Sequence, residues 1–201
     1  RFMSACIRPG WTGRLVAVTT TVLALMFMLV SPASASPAGW EALRNGTAFV
    51  LMRHALAPGT GDPENFSIDD CSTQRNLSDV GRQQARETGE FFRTNGIDKA
   101  EIWSSAWCRC QETAELLSLG KVETLQPLNS FFRRQDRRQP QTRALRDWLQ
   151  ARSMKTPLVL VTHQVNISAL TGVYPRSGEL IFVELTGDSS LNVVARALVE
   201  P

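Results

Sequence analysis

A chain of 201 residues is one domain's worth, with 22 Lys and Arg against 19 Asp and Glu. The small positive balance is concentrated in residues 1–35, which hold Arg1, Arg8 and Arg14 and no acids, so the remainder is charge-balanced. That leaves no global basic footprint for a nucleic-acid partner.

In chain order, Leu15–Val30 is an apolar stretch, slightly short for a comfortable membrane span, and Ala33-Ser34-Ala35 follows it as a small-residue cleavage signature. With the basic lead, this is the pattern of a secretory signal peptide cleaved after Ala35; an uncleaved anchor is the alternative. A signal peptide over 1–35 and one domain over 36–201 are therefore expected, exported to a periplasm or secreted, with no membrane span after cleavage. Cys6 precedes the apolar stretch and is not positioned for lipid attachment. The three later cysteines fit one disulfide and one thiol in an oxidising compartment. The expected pairing is Cys71–Cys108, with Cys110 buried. A metal site is disfavoured, because the chain has two histidines and Cys-x-Cys plus a distant cysteine lacks zinc spacing.

Pro37–Arg44 predicts a short lead-in helix. Thr47–Met52 is an unbroken apolar run that reads as a strand buried on both faces, and it leads directly into Arg53 and His54. Residues 58–74 are polar and rich in turn formers, too long for a mere connector, with Cys71 as a tether. Ser78 predicts a helix cap with Asp79 at the positive end, apolar positions follow at helical spacing, and Gly96 ends the element. Ile102-Trp103 predicts a strand, then a helix from near Trp107–Arg109 to Gly120, then a strand over Val122–Leu125. Residues 131–138 form an arginine-loaded loop, and Thr142–Arg152 an amphipathic helix. Leu158–Val161 is another doubly buried strand, running into Thr162-His163 and a short helix over Gln164–Leu170. Leu180–Leu185 and Leu191–Leu198, separated by turn residues 187–190, predict a hairpin. The alternation predicts a three-layer α/β/α sandwich around a mostly parallel sheet.

The chemistry lies at strand ends. Each histidine directly follows a buried strand, one is preceded by Arg53, and Arg109 follows a third strand. Strand ends of one parallel sheet converge, so Arg53, His54, Arg109 and His163 can share a pocket. Guanidinium forks match phosphoryl oxygens, and imidazole serves as nucleophile or hydrogen-bond donor.

Four segments carry a family resemblance. Leu51-Met52-Arg53-His54-Ala55 resembles the RHG-type signature of the histidine phosphatase (phosphoglycerate mutase-like) superfamily. Leu77-Ser78-Asp79-Val80-Gly81-Arg82-Gln83-Gln84-Ala85 resembles its Leu-Thr-x-x-Gly-x-x-Gln-Ala helix. Residues 104–114, Ser104-Ser105 through Arg109 to Thr113-Ala114, are similar to its Ser-Ser-x-x-x-Arg-x-x-Gln-Thr-Ala block, and Val161-Thr162-His163 matches its second histidine motif. The segments span about residues 47–185 in the family's order, as in a short exported bacterial member.

The resemblance implies a phosphoglycerate mutase-like fold and a phosphatase. His54 would attack phosphorus and carry a phosphohistidine, while Arg53, Arg109 and His163 hold the oxygens; water then releases phosphate without metal or cofactor. A backbone carbonyl accepting from His54 Nδ1 would leave Nε2 for attack, and Ala55 replaces the family's glycine at the turn. Asn166 and Gln164 are expected beside the substrate. Many relatives carry a general-acid glutamate just after the segment equivalent to Leu125–Leu128, where this chain reads Asn129-Ser130-Phe131-Phe132. Asp62, Asp136 and Glu179 are the substitutes available nearby. Without an acid, leaving groups that need little help are favoured, as in a phosphoramidate or a diphosphate. Arg133, Arg134, Arg137 and Arg138 are expected to draw in an anion, such as a phosphorylated small molecule or an envelope phospho-glycolipid. The reading from a different class is a non-catalytic periplasmic phospholigand-binding protein that lost the acid.

Overall fold

The computed structural model describes residues 37–186 and 190–201; the expected signal peptide over 1–35 lies outside the described residues. The elements run α1 (Pro37–Arg44), β1 (Ala48–Arg53), α2 (Asp79–Thr94), β2 (Glu101–Ser104), α3 (Cys108–Leu116), β3 (Val122–Thr124), α4 (Arg138–Gln150), β4 (Leu158–Thr162), α5 (Gln164–Thr171), β5 (Leu180–Leu185) and β6 (Leu191–Ala197). The sheet order is β3-β2-β4-β1-β5-β6. The first four of these are parallel to one another; β5 runs antiparallel to β1, and β6 antiparallel to β5, so that β5 alone is reversed in the sheet.

Alternation along the strands divides the core in two. From β1, Val50 and Met52 join Trp40 and Leu43 of α1, Phe92 of α2 and Ala114 of α3. Phe49 and Leu51 point the other way, to Leu145 and Leu149 of α4 and to Ile167 and Leu170 of α5. The result is the expected three-layer sandwich. Among the described residues, no helix is long and apolar enough to cross a membrane.

Register does the positioning. Arg53 pairs with Thr162, so β1 and β4 end level and the next residue of each is a histidine. The His54 amide donates to the Thr162 carbonyl at 3.0 Å, and on the next strand the Ser105 amide donates to the Val161 carbonyl at 3.0 Å.

The α2 cap is as the spacing implied. The Ser78 hydroxyl accepts from the Gly81 amide at 3.0 Å, and Gly96 closes the element at φ +78°. Gly81 has a further reason: a Cβ there would stand 2.0 Å from the Leu56 carbonyl oxygen, so only glycine lets α2 approach the segment after His54. The α4 helix starts at Arg138, four residues before the expected Thr142. Pro140 falls in its first turn, where a missing N–H leaves no bond unmade. The residues ahead of it, Gln135–Arg137, form a 3₁₀ turn rather than open loop. The β5–β6 pairing is antiparallel as expected, and residues 187–189 of its turn lie outside the described residues.

Candidate active site

The segment after β1 is held by residues far away in the chain. The Ala55 amide donates to Thr113 Oγ1 at 3.0 Å and the Leu56 amide to Gln84 Oε1 at 3.0 Å. Gln84 in turn donates to the Ser177 and Val199 carbonyls. Two of the sequence motifs therefore act through backbone clamps on the turn that presents His54. Ala55 is fully buried, and Ser118 alone among the described non-glycine residues has positive φ, so alanine takes the glycine's place without strain.

His54 Nδ1 lies 2.8 Å from the Ala55 carbonyl oxygen. A carbonyl only accepts, so Nδ1 carries the proton and Nε2 keeps its lone pair. The His163 ring meets the His54 ring edge-on at 5.6 Å between centroids. Its Nε2 is 2.8 Å from Ser105 Oγ, and its ring packs against Trp107, which is itself stacked on Phe66.

Three guanidiniums surround the imidazoles. Arg53 Nη1 donates to the Pro175 carbonyl at 3.0 Å. Arg109 is only 3% exposed, and its fork grips Asp62 with contacts of 2.6 and 3.2 Å. Arg75 donates from Nε to the Gly61 carbonyl at 2.7 Å and from Nη1 to the Ala57 carbonyl. Buried Nε donors of Arg53 and Arg109 have no hydrogen-bond partner. Unmatched buried cationic donors around two imidazoles call for an anion with several acceptor oxygens.

Electrostatics keeps the rings neutral. Burial, then the Arg109 charge, holds both His54 and His163 well below the ordinary imidazole value. Burial pushes the Cys110 thiol up to about 12, so it is a neutral neighbour of His163, 3.5 Å from Nε2. Burial alone would raise the Asp62 carboxyl, but the bonds and charge of Arg109, with the Trp107 indole and the Arg75 amide, hold it below its ordinary value.

These groups line one cavity of about 530 Å³. Arg53, His54, Asp62, Arg109, His163 and Gln164 all reach it, as do Arg133, Arg134 and Arg137. Arg138 lies elsewhere, on a shallow groove of α4.

Three further expected residues do not reach the cavity. Asn166 is buried, and its amide donates to the Pro127 and Asn129 carbonyls, so it braces the turn after β3 instead of contacting substrate. Asp136 is exposed and paired with Arg134 at 2.8 Å. Glu179 is buried outside the cavity, accepting from Arg196 and from the Arg176 amide. Neither carboxylate can reach a leaving group. Asp62 can, but Oδ1 accepts from Arg109 and the Arg75 amide, and Oδ2 from Trp107 and Arg109. Four donors on two oxygens make it an orienting anion, not a proton carrier.

Arg75, Ser105, Trp107 and Asn129 are site residues that sequence reasoning missed. Asn129 Oδ1 accepts from the Ala106 amide at 2.8 Å and from Ser105 Oγ, fixing the turn after β2. Arg75 stands just before the Leu77-Ser78 motif, and that proximity was the available signal. The expected Cys71–Cys108 disulfide is present, with Cys110 free and buried. It ties the 58–74 loop, which carries Asp62, to the start of α3, which carries Arg109.

The family model described as histidine phosphatase superfamily (branch 1) matches residues 49–131. Several solved structures share the fold. The protein histidine phosphatase SixA, in a complex with tungstate, is similar at TM-score 0.57 and 16% identity, over 75% of this chain and 96% of that one. A mycobacterial glucosyl-3-phosphoglycerate phosphatase, in a complex with VO3, is similar at TM-score 0.57 and 15% identity, over 74% and 98%. YhfR of Bacillus stearothermophilus is similar at TM-score 0.55 and 17% identity, over 76% and 98%. No curated protein matches the chain.

Proposed function

We propose, from the match of residues 49–131 to the histidine phosphatase superfamily model, that this chain is an exported phosphatase of that kind, working through a phosphohistidine on His54. One observation carries the reading: the Nδ1 proton of His54 is committed to the Ala55 carbonyl, which leaves Nε2 as a neutral nucleophile beside three guanidiniums.

In the first step His54 Nε2 attacks phosphorus and the bond to the leaving group breaks. Arg53, Arg109 and Arg75, with His163, hold the equatorial oxygens and stabilise their charge as it redistributes. The unmatched Nε donors of Arg53 and Arg109 are the groups such oxygens would satisfy. In the second step water attacks the phosphohistidine and phosphate is released. Guanidiniums supply the positive charge that a metal would otherwise bring, which supports a metal-independent reaction.

Substrate and location follow from the rest. Among the described residues, the cavity offers no carboxyl free to protonate an alkoxide, which favours a phosphoramidate or diphosphate over a simple sugar phosphate. The arginines near its mouth support an anionic substrate, with a phosphorylated small molecule or an envelope phospho-glycolipid as the classes. The disulfide supports an oxidising compartment, in line with a signal peptide over 1–35 and a catalytic domain over 36–201.

Labelling with a phosphodonor, quenched in alkaline detergent, tests the reaction. The protein is expected to trap acid-labile phosphate on His54, with and without a chelator. His54→Ala removes the label and lowers kcat/KM by more than about 10³-fold. Tight phosphate binding with no label and no turnover would instead make it a phospholigand-binding protein.

A further inference from the structure

The cavity carries more positive charge than one phosphoryl group requires. Around the imidazoles, Arg53, Arg75 and Arg109 face one carboxylate, Asp62, which leaves a balance close to that of a phosphoryl dianion. Arg133, Arg134 and Arg137 then add three guanidiniums on the wall between the 58–74 loop and α4. Asp136 is their carboxylate neighbour, bound to Arg134 and acted on by the charge of Arg137. Arg133 instead donates to uncharged acceptors, the carbonyls of Asp62 and Pro63. It is thereby held against the very residue whose carboxylate grips Arg109, so the second cluster begins next to the first.

Three observations converge: a second cationic cluster, a volume of about 530 Å³ that exceeds a lone phosphoryl group, and no carboxyl free to donate a proton. Building on the phosphohistidine reading above, we propose that the substrate is a diphosphate, whose terminal phosphoryl goes to His54 while Arg133 and Arg137 hold the adjoining phosphate as leaving group.

The step balances without a proton donor. The Nε2 lone pair forms the N–P bond, and the bridging P–O bond breaks with its electron pair going to the bridging oxygen. The leaving group departs as a phosphate monoester dianion, its charge shared over three oxygens and faced by guanidiniums. Water then adds to the phosphohistidine, the P–N bond breaks, its electron pair returns to Nε2, and dihydrogen phosphate leaves with both water protons. An alkoxide in the same place would carry its charge on one oxygen and require a proton. Phe132 and Tyr174, both exposed and both lining the cavity, offer apolar contact to the group carrying the diphosphate.

Hexyl diphosphate, hexyl phosphate, phosphoramidate and p-nitrophenyl phosphate are the probes. The expected result is a kcat/KM for hexyl diphosphate at least about 10²-fold above hexyl phosphate, with hexyl phosphate accumulating as product. In the Arg133→Gln/Arg137→Gln double variant, the preference for hexyl diphosphate over p-nitrophenyl phosphate should shrink about tenfold or more. Arg138→Gln removes one such charge outside the cavity and should leave that preference intact. Both arginines are exposed, so the double variant retains the fold. Comparable turnover of hexyl phosphate or phosphoramidate, or an unchanged preference in the double variant, overturns the proposal. His54-dependent turnover of p-nitrophenyl phosphate in that same case leaves the phosphatase reading standing. Absence of turnover on all four probes, with no label on His54, overturns both.

Discussion

The tautomer of His54 is decided by one carbonyl, and that carbonyl is positioned by one hydroxyl. Thr113 Oγ1 accepts the Ala55 amide at 3.0 Å while donating to the Arg109 carbonyl at 2.6 Å. A single side chain thus ties the His54 turn to the helix carrying the buried guanidinium. Thr113→Val keeps the shape but leaves a buried amide without an acceptor. Its expected cost is about 1–3 kcal/mol, read as a lowered urea midpoint, with reduced His54 labelling because the turn loosens. Arg109 and Asp62 show the same economy at the opposite wall. The carboxylate that seemed available as an acid instead grips both ends of the guanidinium's fork.

At the scale of elements, the 58–74 loop is part of the site because three separate bonds hold it down. The Cys71–Cys108 disulfide closes 37 residues of chain, Gln74 Oε1 accepts the Cys108 amide at 3.0 Å, and Asp62 grips Arg109. Removing the disulfide acts mainly by freeing the unfolded chain, which for such a loop amounts to about 2–4 kcal/mol. Cys71→Ser/Cys108→Ser is expected to lower Tm accordingly and to raise KM, since Asp62 and Arg75 lose part of their anchorage. Thermal unfolding together with steady-state kinetics on the same variant checks both effects. The α2 helix contributes differently: Gly81 and Gln84 bring it against Leu56, so it supports the turn after His54 without entering the cavity.

For the whole molecule, two neutral buried imidazoles link stability to acidity. In the unfolded chain each takes a proton near the ordinary value of about 6.5, whereas in the folded chain burial and Arg109 push that uptake far lower. Below about pH 6.5 the unfolded state therefore binds more protons, so stability is full above that point and declines as the pH falls. Urea midpoints measured from about pH 7 down to about pH 5 should decrease, and His54→Gln/His163→Gln should flatten the slope across that window. Bound phosphate should shift the midpoints upward in the native protein, because an anion that binds only the folded state stabilises it by mass action.

The sequence by itself determined the three-layer sandwich, the doubly buried strands, the Ser78 cap and the two histidines, each written in local periodicity, turn residues or position after a strand. The Cys71–Cys108 pairing was an expectation that the structure bears out: Cys108 and Cys110 both stand at the start of α3, and the burial of Cys110 separates them. Only the tertiary structure decided what the carboxylates do. Asp62, Asp136 and Glu179 look alike as residues near the motifs, and burial, ion pairing and direction separate them. Arg75 and Ser105 likewise became site residues through the level ending of neighbouring strands and the folding back of one loop. Local pattern reports the chain's own geometry within a few residues. Which charges meet across a cavity depends on register and loop closure, which bring together residues tens of positions apart.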